Sequence, residues 1–134
     1  MSTVEGMVNQ DLEANKRNAI AFYRTAFDGS PREAVGSYVG AQHIQHNPLV
    51  GNGPEPFIEY FERMAAEYPE KSFEFVRAVS EGDLVALHTR QDWPGGDEYV
   101  TMDFFRFDAH GKIVEHWDSM QQIPETSANG NTMY

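Results

Sequence analysis

The sequence predicts an α+β domain in which three helices come first and pack on one face of a curved antiparallel sheet. Two observations carry this expectation. The hydrophobic period is near 3.6 up to Pro69 and near 2 beyond it. Turn signals at 81–83, 93–97 and 108–111 then divide the second half into four segments of strand length. A chain of 134 residues is expected to form one domain, here 1–123, followed by a polar, turn-rich tail at 124–134.

The elements follow in order. From about 8 to 27, Leu12, Ala19, Phe22, Tyr23 and Ala26 share one helical stripe, and Asp28-Gly29 stops it. "SPRE" has Ser30 as N-cap, Pro31 at the first helical position and Glu33 three residues after the cap, which reads as a capping box opening a short second helix. "AQHIQHNPL" is a short extended segment ending at Asn47-Pro48. A third helix is expected from about Pro54 to Tyr68, with Phe57, Phe61, Met64, Ala65 and Tyr68 on one face and Pro69 as its stop. Then come "SFEFVRA", "LVALHTRQ", "EYVTMDFFRFD" and "GKIVEHWDSMQ" as a four-stranded meander.

Charge and composition exclude several function classes. Asp and Glu number 21 against 10 Lys and Arg, and no basic stripe exists, so nucleic acid and anionic membrane surfaces are poor partners. No cysteine is present, which removes disulfides, thiolate metal sites and a thiol nucleophile and fits a cytoplasmic protein. The first ten residues show no secretory pattern, and no apolar run reaches membrane-span length. "HIQH" is not a recognised metal-ligand spacing, and no nucleophile-elbow motif occurs. No metal is expected.

The last strand places Glu115, His116 and Asp118 where a core strand would carry apolar residues. If Phe107 lies opposite Lys112 across the 108–111 turn, then Asp103 faces His116 and Thr101 faces Asp118. One face then carries Thr101, Asp103, Phe105, Val114, His116 and Asp118, and the other Met102, Phe104, Arg106, Ile113, Glu115 and Trp117. Arg106 with Glu115 reads as a structural ion pair. On the preceding strand His88 and Arg90 share a parity and are expected beside Asp103. Both faces hold large apolar groups, so the helices cover one side and a second copy is expected on the other, through Met102, Phe104 and Trp117. Four of the five histidines, 43, 46, 88 and 116, fall in extended segments. A pocket lined by aromatic rings and a few convergent ionisable groups is the expected site for a small hydrophobic molecule.

At "HIQHNP", "DFFR" and "GKIVEHWDSMQ" the chain resembles the SnoaL-like polyketide cyclases of the nuclear transport factor two-like superfamily, in particular their aldol-condensation subgroup. The resemblance runs from the first helix to about Gln122. It implies a cone-shaped α+β barrel with a deep apolar pocket, a homodimer, and no metal or organic cofactor. It also implies a pocket-strand Asp as general acid/base, which falls on Asp103, and an assisting His on the preceding strand, which falls on His88. Epoxide hydrolases of the same fold use a second carboxylate on the last strand, and Asp118 matches it. Substrate contacts are expected from His46, His116, Arg90, Trp117, Phe105, Tyr23 and Phe61.

The chemistry fits those residue types. An aldol closure removes a proton alpha to a carbonyl and gives one to the carbonyl oxygen. A carboxyl whose pKa is raised by burial can do both. The expected function is therefore cofactor-independent acid/base catalysis (cyclase, lyase or isomerase) on a small carbonyl or polyketide-like compound. The alternatives are a non-catalytic ligand-binding or interaction dimer and, third, an epoxide hydrolase.

Overall fold

The computed structural model describes residues 10–134. Helix α1, Leu12–Phe27, opens on Asp11, whose carboxylate accepts the Ala14 amide at 3.0 Å. The two residues that the sequence placed before Gln10 in this helix lie outside the described residues. The helix ends at Asp28-Gly29, where Gly29 takes φ +103°, a conformation that costs a side-chain-bearing residue steric strain. Helix α2, Pro31–Tyr38, begins at Ser30 as expected, but the Ser30 side chain makes no cap bond, so the capping box is not formed. Helix α3, Pro54–Glu67, follows Gly53 and buries Phe57 and Ile58; Phe61, Met64, Ala65 and Tyr68 are only half-buried.

The strands are β1 (Val39–Gln45), β2 (Ser72–Glu81), β3 (Leu84–Asp92), β4 (Glu98–Phe107) and β5 (Ile113–Gln122). They form one sheet in the order β1-β5-β4-β3-β2. The four late strands make the expected antiparallel meander. The short extended segment joins it as a fifth strand, β1, parallel to β5, so the sheet is mixed and not purely antiparallel. The core lies between the helices and one sheet face: Ala19, Phe22, Ala26, Ala34, Val50, Phe57, Val85, Leu87, Phe105, Phe107 and Ile113.

The register between β4 and β5 differs from expectation by two residues. Asp103 pairs with Asp118, and Phe105 with His116. The five-residue loop Asp108–Lys112 accounts for this: Asp108 closes it by donating its amide to the Lys112 carbonyl at 2.8 Å, while its carboxylate accepts the His110 and Lys112 amides. An even offset leaves the faces unchanged, so Asp103, Phe105, His116 and Asp118 still share one. A bulge between Arg106 and Phe107 pairs Phe107 with Ile113 and turns Ile113 into the core, the reverse of the expected face.

On β3 the expected parity is corrected. Leu87 pairs with Asp103 and Thr89 with Thr101, while His88 pairs with Met102 and Arg90 with Val100. Thr89 and Gln91 therefore face the helices, and His88 and Arg90 lie on the opposite face. That outer face carries a row of Val79, Ala86, Phe104 and Trp117 across four strands. Met102 and Phe104 are nearly half exposed there. The end of the chain returns to the same face. The Met133 carbonyl lies 3.0 Å from His88 Nε2, and the Tyr134 ring sits 4.4 Å from the Arg90 guanidinium carbon. No described helix is long and apolar enough to cross a membrane.

Candidate active site

A cavity of about 60 Å³ opens between α1, α3 and the inner face of the sheet. Aromatic rings wall it: Phe22, Phe27, Phe57, Phe61 and Phe105. Its polar lining is Tyr23, Gln45, Asn47, Tyr60, Gln91, Thr101, Asp103, His116 and Asp118. Met120, half exposed, stands at its edge and marks the side that reaches solvent. The volume admits a few atoms of ligand, since a benzene-sized guest needs a cavity on the order of 150 Å³. A ring-sized substrate therefore requires the side chains at that mouth to move.

Hydrogen-bond partners assign protons within the site. The Asn47 backbone N–H donates to Gln45 Oε1 at 3.0 Å. An amide N–H can only donate, so the atom it meets is the Gln45 oxygen. The same oxygen lies 2.8 Å from His116 Nδ1, which must then carry a proton and donate. His116 Nε2 in turn lies 2.8 Å from Asp103 Oδ1. That contact needs one proton between the two atoms, so the pair is either imidazolium with carboxylate or imidazole with carboxylic acid. The Thr101 hydroxyl donates to the other Asp103 oxygen at 2.9 Å. Asp103 and His116 are both buried, so the proton between them lies away from bulk water.

Asp118 is held separately. Asn47 Oδ1 accepts the Leu49 amide at 2.9 Å, an Asx turn that "HNPL" encodes. This orients Asn47 Nδ2 to donate to Asp118 Oδ2, also at 2.9 Å. Arg90, on the outer face, pairs with Glu98 at 3.2 Å and does not reach Asp118. Burial pushes the Asp118 pKa above the usual carboxylate range; Asp103 adds to the rise, while His116 and the Asn47 bond oppose it. Burial, aided by Asp118, also raises the Tyr60 phenol. Tyr23 is raised by burial first and by Asp103 second. Asp103, His116 and Asp118 each present one ligand atom within 4.8 Å of the others, and are the described residues that could hold a metal ion.

The cavity thus gathers Asp103, Asp118, His116, Phe105, Tyr23 and Phe61 of the expected site residues. It does not gather four others. His88 is turned to the outer face, between the Arg77 side chain and the Met133 carbonyl. Arg90 is on the same face. His46 stacks on Trp117 at 4.9 Å and bonds Glu115 at 2.7 Å, and Arg106 meets Glu115 at 2.8 Å as the expected ion pair. His46 and Trp117 alternate with Gln45 or Asn47 and with His116 or Asp118, so strand parity sends them away from the cavity. Gln45, Asn47, Gln91 and Trp93 were not singled out from the sequence, and Thr101 was placed on this face without a role in the site. The Asn-Pro step was the available signal for Asn47, and its position next to His46 drew attention to the wrong side chain.

One buried histidine stands beside the site. His43 on β1 packs edge-on to Phe57 at 6.0 Å, and among the described residues neither of its ring nitrogens meets a partner in full hydrogen-bonding geometry. Burial, with help from His116, lowers its pKa from 6.5 to about 4, against a smaller opposing effect of the Gly53 backbone.

Comparison with known proteins adds the following. The profile of the SnoaL-like domain matches residues 19–116. No curated protein sequence matches the chain. Among solved structures, TsrD from Streptomyces laurentii is 20% identical with a TM-score of 0.70, covering 84% of this chain and 91% of that one. A protein from Acidithiobacillus ferrooxidans described as a candidate polyketide cyclase is 17% identical with a TM-score of 0.65, covering 81% and 88%. A candidate ketosteroid isomerase from Kribbella flavida is 16% identical with a TM-score of 0.68, covering 87% and 84%. At these identities the likeness is one of fold.

Proposed function

The chain belongs to the SnoaL-like domain family, and from that premise we propose that it is an acid/base enzyme acting, without a metal or organic cofactor, on a small carbonyl compound held in the apolar cavity. The reaction is of the aldol cyclase, lyase or isomerase type. The observation that carries the reading is the shared proton of Asp103 and His116, set directly across the strand pair from a second carboxyl with a raised pKa. Such a pair supplies both halves of the chemistry. Asp118, which lines the cavity and is made more basic by its burial, abstracts from the carbon alpha to the carbonyl. The Asp103–His116 pair returns a proton to the oxygen. Gln45, Asn47 and Thr101 hold these groups in place. Proton transfer of this kind accelerates a reaction ~10² to 10⁴-fold.

A specific observation favours a second reading. Asn47 bonded to Asp118, with Asp103 opposite, is an arrangement that can hold and activate a water for opening an epoxide. The exposed apolar row on the outer face supports a homodimer through the sheet, and the absence of cysteine from the sequence suits a cytoplasmic setting. In the non-catalytic alternative, the same cavity only binds its ligand.

Hydrogen–deuterium exchange tests the main reading without knowledge of the natural substrate. Small enolisable ketones and 1,3-diketones are incubated in D₂O, and deuterium entering the alpha carbon is followed by NMR. The chain is expected to accelerate exchange, and Asp103→Asn and Asp118→Asn to abolish the acceleration. No acceleration across the panel would rule out acid/base catalysis at carbon.

A further inference from the structure

Among the described residues, the cavity wall formed by α1 and the end of β3 holds a second hydrogen-bonded chain, in which the direction of every bond is determined. The Trp93 indole N–H, which can only donate, meets Gln91 Oε1 at 2.9 Å. The Gln91 amide is thereby oriented so that its Nε2 faces Tyr23 and donates to the phenol oxygen. Gln91 and Trp93 are both buried, so neither amide nor indole exchanges partners with solvent. Tyr23 is braced on three sides by Phe27 at 5.9 Å, Phe73 at 5.4 Å and Phe75 at 5.2 Å, which fixes its ring. With its oxygen already accepting from Gln91, the phenol has its proton to give. Tyr23, Gln91 and Trp93 all line the cavity together with Thr101, Asp103 and Asp118. Thr101 also bonds Tyr23, and because its own proton is committed to Asp103 its oxygen is the acceptor that the phenol proton meets until a ligand oxygen takes its place.

We propose that Tyr23 is a hydrogen-bond donor to an oxygen of the bound ligand, and that Gln91 and Trp93 are positioning residues that fix the direction of that bond. The ligand must then carry an acceptor oxygen at the Tyr23 end and an acidic C–H at the carboxylate end. An enolisable ketone has this polarity and a simple alcohol or amine donor does not. In the reaction the carbonyl oxygen gains negative character as the alpha proton leaves for a carboxylate, and the Tyr23 bond strengthens as it does so. Tyr23 itself stays neutral, because burial and the neighbouring Asp103 hold its proton on. The inference deepens the acid/base reading by naming the ligand polarity, yet it concerns binding and survives if no turnover occurs.

The test uses cyclopentanone, a neutral ketone about the size of benzene that enters once the side chains at the mouth move, and reads the infrared C=O stretch of the bound molecule. In the intact protein the stretch is expected below its value in an apolar solvent, as donation to the oxygen requires. Tyr23→Phe is expected to lose that shift. The decisive variant is Gln91→Glu, which preserves shape and, once ionised, replaces the donor facing Tyr23 by an acceptor. Burial favours the neutral form, which donates as Gln91 does, so the spectrum is followed upward in pH: as the carboxyl ionises, the Tyr23 proton turns toward position 91, both Trp93 and Tyr23 stay bonded, and the shift is lost. Gln91→Leu frees the phenol without reversing it and is expected to retain a downward shift at every pH. A Gln91→Glu variant that keeps the shift through that ionisation, equal behaviour of the Glu and Leu variants, or a parent protein that does not bind cyclopentanone would each overturn the proposal. Loss of deuterium exchange with the infrared shift intact would instead remove the acid/base reading and leave this one standing.

Discussion

Replacing His43 by Leu gives the sharpest quantitative test of the electrostatics around the site. In the folded chain the imidazole is buried with no close hydrogen-bond partner among the described residues, and its pKa falls from 6.5 to about 4. Between these values the unfolded chain binds a proton that the folded chain refuses, so stability decreases as pH falls from 6.5 toward 4 and the full effect is present below the folded pKa. One pKa unit is worth about 1.4 kcal/mol, so the difference amounts to about 3 kcal/mol, growing at about 1.4 kcal/mol per pH unit across the window. Leu at this position cannot titrate. Asp118, whose pKa is raised, works in the other direction: it favours the folded state when protonated and loses that contribution as pH rises through its folded pKa. It is present in both proteins and cancels in their difference. Urea unfolding of the parent and His43→Leu at half-unit steps from pH 7.5 to 4 measures that difference. The variant is expected to be at least as stable at pH 7.5, since two unsatisfied ring nitrogens are removed, and to gain on the parent steadily below 6.5. Parallel stability curves for the two proteins would refute the reasoning.

Other predictions follow from the same geometry. Asp103→Asn removes a neighbouring charge and is expected to move the Asp118 pKa down toward the ordinary range, while Asn47→Ala removes a hydrogen bond and is expected to move it further up; carboxyl carbon NMR titration reads both. Phe105→Ala, at the centre of the core and beneath the His116 ring, is expected to cost about 3–5 kcal/mol in chemical denaturation. Phe104→Glu puts a charge into the exposed apolar row and is expected to leave a monomer by sedimentation where the parent is a dimer; a parent that sediments as a monomer removes the dimer from the proposal.

Much of this arrangement was legible in the residues, for reasons that also explain what was not. The change of period at Pro69 separates helices from strands, and Asp103, Phe105, His116 and Asp118 fall on one face because a two-residue error in register preserves parity. The assignment of β3 failed because the 93–97 turn leaves its register open, and both of its parities mix polar with apolar residues. Leu87, Thr89 and Gln91 alternate with Ala86, His88 and Arg90, so hydrophobic pattern alone does not choose between them. Strand β1 was visible only as an extended segment. Its pairing partner lies some 70 residues along the chain, and parallel pairing leaves no local turn signal. The amide side chains Gln45, Asn47 and Gln91 escaped notice because their value lies in which atom faces which partner, and composition carries no trace of that.

The account stands most directly on the proton shared between His116 and Asp103. Nitrogen-15 NMR of the His116 imidazole measures it. The account predicts a protonated Nδ1 bonded to Gln45, an Nε2 signal displaced from that of a free imidazole, and a return of Nε2 to the free value in Asp103→Asn. A bare Nδ1 with the proton held on Nε2, unchanged by loss of the Asp103 carboxylate, would contradict it.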